Sequence, residues 1–160
     1  MEWEAQALYD KSRLYMSRAY EQPVDSQLFA IWASLSLEIL CRAALAKVHP
    51  VLLADPREDG NILYAFGIQP AKSPKSIVTK AIVIRCSHLV EGFTEDMANH
   101  CAFMADRRNT ELHSGVLGFD ALDNLFDFFQ QVRIVSLNEL LPFIEGIDAG
   151  YLHYLTRSEY

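Results

Sequence analysis

The sequence predicts an all-α fold, a bundle of four or five helices. Three observations carry this. Apolar residues recur at helical spacing along most of the 160-residue chain. No segment combines strict alternation with turn punctuation, the mark of a half-buried strand. The β-branched run VTKAIVIR is flanked on both sides by helical spacing. A chain of this length is expected to form one domain over 1–160, with its core in about 1–145 and a C-terminal helix at 138–157.

The first helix is expected over 3–20, with Trp3, Ala7, Leu14 and Ala19 on its apolar face. Pro23 and Asp25 signal the start of a second, over about 25–48. Its face Leu28, Trp32, Leu35, Ile39, Ala43 is backed by a nearly equally apolar opposite side, as expected of a helix buried in a bundle or subunit interface. Among its few charges, Glu38 and Arg42 stand four apart and can pair. Glu38 can also orient a basic group brought in by another helix.

Residues 49–74 hold four prolines and two glycines and read as a connection with a short helical turn at 61–66. Pro74 is expected to open a third helix over 75–90, with Ile77, Ala81, Ile84 and His88 on one face, ended by Gly92. Thr94 followed by Glu95 and Asp96 is a start signature for a fourth, over 95–113, which Ser114 and Gly115 end. A fifth, after Asp120, carries Leu122, Leu125, Phe126, Phe129 and Val132. The segment 138–157 is kinked or broken by Pro142 and Gly146.

Composition narrows the function. Apolar residues make up 51 % and charged residues 22 %, ordinary for a soluble globular domain. No 18-residue uncharged apolar run is present, and the acidic start MEWEAQALYD has no leader-like pattern, so a cytoplasmic protein without a membrane segment is expected. Cys41, Cys86 and Cys101 are widely spaced in apolar helical contexts and are expected to be buried free thiols. No CxxC or HExxH pattern suggests a metal, and no cofactor is expected.

The net charge of −7 argues against a non-specific coat on nucleic acid. The stretch from Gly60 to Val90, however, has no acid and carries Lys72, Lys75, Lys80 and Arg85. It is +4, leaving −11 elsewhere. A local basic surface able to touch RNA phosphates is one reading, and a solvated helix face the other. His49, His88, His100 and His153 have no ligand-spaced partners and read as structural.

The fourth helix holds the concentrated chemistry, in Arg107-Arg108-Asn109-Thr110-Glu111-Leu112-His113. Met97, Cys101, Met104, Arg108 and Leu112 fall on one stripe, which turns Arg108 inward and leaves Arg107 as the surface arginine, a further candidate for contact with RNA. Glu111 is expected to face solvent. Five helical residues rotate by about 140°, so Arg108 and His113 share a site only if the helix ends early, the arginine curls round or a second protomer contributes.

Arg108-Asn109-x-x-x-His113 resembles the R-x4-6-H signature of the HEPN domains, including their polar residue after the arginine. The resemblance extends to helix order and length over about 1–145. It implies a metal-independent endoribonuclease, of toxin–antitoxin or antiviral-defence type, acting as a homodimer with a composite site. It implies RNA as substrate and an antitoxin or larger defence assembly as partner. His113 would be the general acid/base, Arg108 the phosphate-binding residue and Asn109 an orienting or substrate-bonding residue. These residue types suit the chemistry, since histidine titrates near neutrality and arginine grips phosphate oxygens in pairs. The family's nucleotidylated subgroup has a tyrosine two residues after the histidine. Gly115 stands there, which puts that regulation in doubt. A non-catalytic HEPN-like module for dimerisation or for binding RNA or protein, and an unrelated helical adaptor, remain the alternatives.

Overall fold

The structure is a computed structural model that describes residues 2–119 apart from Val24 and Ala71. The helices expected after Asp120 lie outside the described residues. Five α-helices are described: α1 Ala5–Tyr20, α2 Gln27–Val48, α3 Asp59–Ala65, α4 Thr79–Leu89 and α5 Glu95–His113, with a 3-10 turn at Pro50–Leu53. No strand occurs among the described residues, only the isolated antiparallel bridge between Ala54 and Ser76. The protein is all-α.

Helix α2 is the central post. Small residues along it (Ala30, Ala33, Ser34, Ser36, Ala43, Ala44) let neighbours approach closely, and all six are buried. Helix α1 runs antiparallel beside it. Tyr20 stacks edge-on against Phe29, Tyr15 meets Trp32 at 5.4 Å, and Ser12 meets Ser36. The two serines exchange bonds across the contact: Ser12 Oγ donates to the Ser36 carbonyl at 3.0 Å, and Ser36 Oγ to the Ser12 carbonyl at 2.8 Å. Buried hydroxyls are thereby satisfied where a larger side chain would push the helices apart. Helices α4 and α5 cover other parts of α2 and pack on each other. The core gathers Tyr9, Met16, Leu37, Leu45, Ile82, Met97 and Met104.

Helix α2 is the one described helix long and apolar enough to cross a membrane. Twelve of its 22 residues are buried inside this bundle, which accounts for its apolar composition without a bilayer. Trp32 is partly covered within the chain, by Tyr15 and by the Arg18 guanidinium 5.0 Å from its ring.

Three apolar faces differ from the expectation. On α2, Leu28 is exposed and Trp32, Leu35 and Ile39 are only partly buried, because the helices pack mainly against the side that carries Phe29, Ala33, Leu37, Leu40 and Ala44. On α1 the buried set is Leu8, Tyr9, Ser12, Met16 and Ala19, while Ala7 and Leu14 are exposed. The charged residues between them are compatible with either register, and the serine contact with α2 selects this one. On α4 the buried set is Ile82, Val83 and Cys86, while Ile84 and His88 are exposed. This helix starts at Thr79 rather than at 75. The Ile77 amide bonds the Leu53 carbonyl at 2.9 Å, and the Lys75 carbonyl accepts from the Asp55 amide at 3.0 Å. Residues 75–77 are thus tied in extended form to the end of the 3-10 turn. Buried Asn61 locks the same corner, donating to the Asp55 carbonyl and accepting from the Lys75 amide.

Helix α5 follows its sequence signals. Thr94 Oγ1 accepts from the Met97 amide at 3.3 Å, and Glu95 and Asp96 occupy the first turn. Gly92 takes φ +75° in the preceding turn, a conformation that glycine adopts without a Cβ penalty.

Candidate functional site

The inward stripe of α5 (Met97, Cys101, Met104) is buried, and Arg108 continues it. A guanidinium there needs a partner, because an unpaired buried charge is expensive. Glu38 of α2 supplies it: Arg108 Nη1 donates to Glu38 Oε2. Arg42, one turn along α2, donates to the other oxygen from Nη2 at 2.8 Å and Nε at 3.2 Å. It also reaches Ser76 Oγ at 2.9 Å and the Ile77 carbonyl at 3.2 Å. The side chains of Glu38, Arg42 and Arg108 are 13 %, 14 % and 11 % exposed. Burial pushes the Glu38 carboxyl up, but the bonds from Arg108 and then Arg42 outweigh it and hold Glu38 below its ordinary value. Two guanidinium groups on one carboxylate leave this cluster with an excess of one positive charge.

A narrow crevice, with room for about one water molecule, lies between α2, α4 and α5. Glu38 and Arg108 border it, with Thr79 and Ile82 from α4 and the thiols of Cys41 and Cys101. Asn109 is exposed, and its Oδ1 accepts from Arg108 Nη2 at 3.0 Å. The structure therefore gathers Arg108, Asn109, Glu38 and Arg42.

His113 is not gathered with them. It is exposed and is the last residue of α5, whose helix is continuous from Arg108 onward. Neither unwinding nor an early stop brings it round to Arg108, so about 140° of rotation separates the two within one chain. His100, also on α5, is largely buried, and that burial lowers it to about 4. His113 is the exposed histidine of this helix.

Arg107 and Glu111 depart from their expected surface roles. Arg107 Nη1 donates to the Gly118 carbonyl at 3.1 Å and its guanidinium lies 5.0 Å from the Phe103 ring. Glu111 Oε2 accepts from the Gly118 amide at 2.6 Å. Together they fold residues 114–119 back onto the end of α5 and seat Phe119 in the core. Leu112, expected on the inward stripe, is 55 % exposed because the stripe runs past the end of the cover.

The basic stretch divides. Lys72 and Lys80 are exposed. Lys75 faces Glu58 at 3.5 Å, and Arg85 Nη1 donates to the Leu52 carbonyl. Sequence reasoning did not anticipate the second anchor of Arg42, nor the meeting of Cys41 with Cys101. Register did not signal the latter, because Cys41 lies one turn from Glu38 on α2 whereas Cys101 lies two turns from Arg108 on α5.

Among the described residues, no group of three or more His, Cys, Asp or Glu side chains is arranged to hold a metal ion. The class defined so far is an all-α bundle with a buried arginine–glutamate–arginine cluster beside an interhelical crevice. No family model matches the chain, and neither the curated proteins nor the solved structures give a match.

Proposed function

We propose that this protein is a metal-independent endoribonuclease of HEPN type whose active site is completed by a second protomer. The observation that carries the reading is that Arg108, with Asn109 bonded to it, borders the crevice while His113 stands exposed nearly one and a half turns on. In this reading a histidine that turns away from its own arginine serves the arginine of a second protomer. His113 takes the proton of a ribose 2′-hydroxyl. The 2′-oxygen attacks the adjacent phosphorus, the P–O5′ bond breaks, the 5′-oxygen leaves with a proton given back by the His113 imidazolium, directly or through water, and a 2′,3′-cyclic phosphate remains. Arg108 binds the phosphate oxygens as charge develops, using N–H groups beyond those held by Glu38 and Asn109. Glu38 orients Arg108, and Asn109 bonds the substrate or the arginine. Toxin or phage-defence action in the cytoplasm belongs to this proposal.

Subunit mixing tests it. His113→Ala and Arg108→Ala each abolish cleavage of RNA in EDTA while the protein stays folded and dimeric. Mixed one to one after subunit exchange, the two inactive variants regain about a quarter of wild-type activity, because half the dimers then hold one intact site of two. Inactivity of the mixture, despite verified exchange, sinks the trans arrangement. Cleavage by both single variants at the wild-type rate sinks the nuclease.

A second reading is favoured by the Glu38 contact itself. An arginine already satisfied by a carboxylate and an amide suits a HEPN-like module that dimerises or binds RNA or protein without cutting. Metal-free cleavage by the purified wild-type chain, lost in His113→Ala, excludes it.

A further inference from the structure

All three cysteines of the chain, each from a different helix, meet at one point of the core as free thiols. Cys41 Sγ of α2 lies 3.8 Å from Cys101 Sγ of α5, and Cys86 Sγ of α4 lies 3.6 Å from the Cys41 carbonyl oxygen. Nothing in the proposed nuclease chemistry uses them. Two thiols in van der Waals contact need to approach by only about 1.8 Å to reach disulfide bonding distance. The crevice beside Glu38 and Arg108 is lined by Cys41 and Cys101 but not by Cys86. That crevice, about the size of one water molecule, borders two of the three cysteines.

We propose that Cys41 and Cys101 are a peroxide-oxidisable dithiol that cross-links α2 to α5. The Cys41 thiolate attacks one oxygen of hydrogen peroxide. The O–O bond breaks, the departing hydroxide takes up a proton as water, and Cys41 becomes a sulfenic acid. The Cys101 sulfur then attacks the Cys41 sulfur, the S–O bond breaks, and the hydroxyl leaves as a second water with the Cys101 proton. Two thiols lose two electrons, and one peroxide becomes two waters. The assignment of roles follows the local bonds. Cys101 Sγ stands against Cys41 Sγ and Cys86 Sγ donates to the Cys41 carbonyl, and these neighbouring thiols favour the Cys41 thiolate against the opposing effect of burial while their own ionisation is pushed up. Cys41 is the nucleophile and Cys101 the resolving thiol. The bond would join positions 60 residues apart in sequence, within one turn of Glu38 on α2 and two turns of Arg108 on α5. This inference is independent of ribonuclease activity.

Hydrogen peroxide added to the native, reduced protein tests it, followed by alkylation in denaturant and non-reducing peptide mass spectrometry. The expected result is a Cys41–Cys101 linked peptide, a fall from three titratable thiols to one, and full reversal by dithiothreitol. Cys86→Ser retains the same link, and a folded Cys101→Ser chain loses it. Three unchanged thiols, only overoxidised single cysteines, or a predominant Cys41–Cys86 link would each overturn the proposal. The wild-type measurement decides alone if a variant fails to fold.

Discussion

Glu38 is the residue on which two arginines converge, and its removal should be felt more than that of either arginine. Glu38→Ala leaves the Arg108 and Arg42 guanidinium groups facing each other's charge with little water to screen it. Breaking one side of such a cluster costs about 3 kcal/mol, to be read as a lowered urea midpoint at neutral pH. The acid dependence has a definite sign. Glu38 is held below its ordinary value of 4.5, so its stabilisation is present above that value and fades as pH falls through the lower, folded-state one. Glu38→Gln should therefore be less stable than wild type at neutral pH, with the gap closing in acid. An unchanged gap across that range would mean the carboxylate charge does not matter to the fold. The pairing was legible in part: the sequence places Arg108 inward and gives Glu38 the capacity for a second base. The rotation of His113 was legible as well, because Ser114-Gly115 sets the end of α5 after it and five helical residues turn it about 140° from Arg108.

At the scale of elements, α5 and the turn after it behave as one unit. A Cβ added at Gly118 would lie 2.1 Å from the Arg107 carbonyl oxygen and 2.9 Å from the Glu111 amide nitrogen. Both neighbours are helix backbone and cannot give way. Gly118→Ala should lift residues 114–119 off the helix, break the bonds to Arg107 and Glu111, and draw Phe119 out of the core. Hydrogen exchange should then accelerate in the last two turns of α5 and leave α1 unaffected; equal protection in both proteins would refute the latch. The ends of α5 were readable because Thr94-Glu95-Asp96 and Ser114-Gly115 are local signals. The start of α4 and the buried faces of α1 and α4 were not. They depend on which neighbour each helix meets: the Ile77–Leu53 bond for α4 and the Ser12–Ser36 contact for α1.

At the scale of the molecule, an acidic body carries a divided basic stretch. If RNA is bound through it, the exposed Lys72 and Lys80 are the members free to touch phosphates. Lys72→Gln with Lys80→Gln should weaken RNA binding and reduce the slope of log K against log salt by about 0.7 for each single-strand phosphate no longer neutralised. An unchanged slope would remove both residues from the interface. Arg85 acts on the fold instead, through the Leu52 carbonyl, so its loss should lower stability at any salt concentration.

The Glu38–Arg108 pair has one more consequence, for alignment rather than for binding. An apolar seam between α2 and α5 would tolerate sliding, since one methylene resembles the next. A one-turn slip of α5 would put Met104 or Ala105, or else Glu111 or Leu112, opposite Glu38 in place of the arginine. Each leaves Arg108 without its carboxylate, and Glu111 adds like-charge repulsion. The cluster thus rejects wrong alignments of two otherwise greasy helices, and in doing so it fixes where along α2 the exposed end of α5, with His113, is presented.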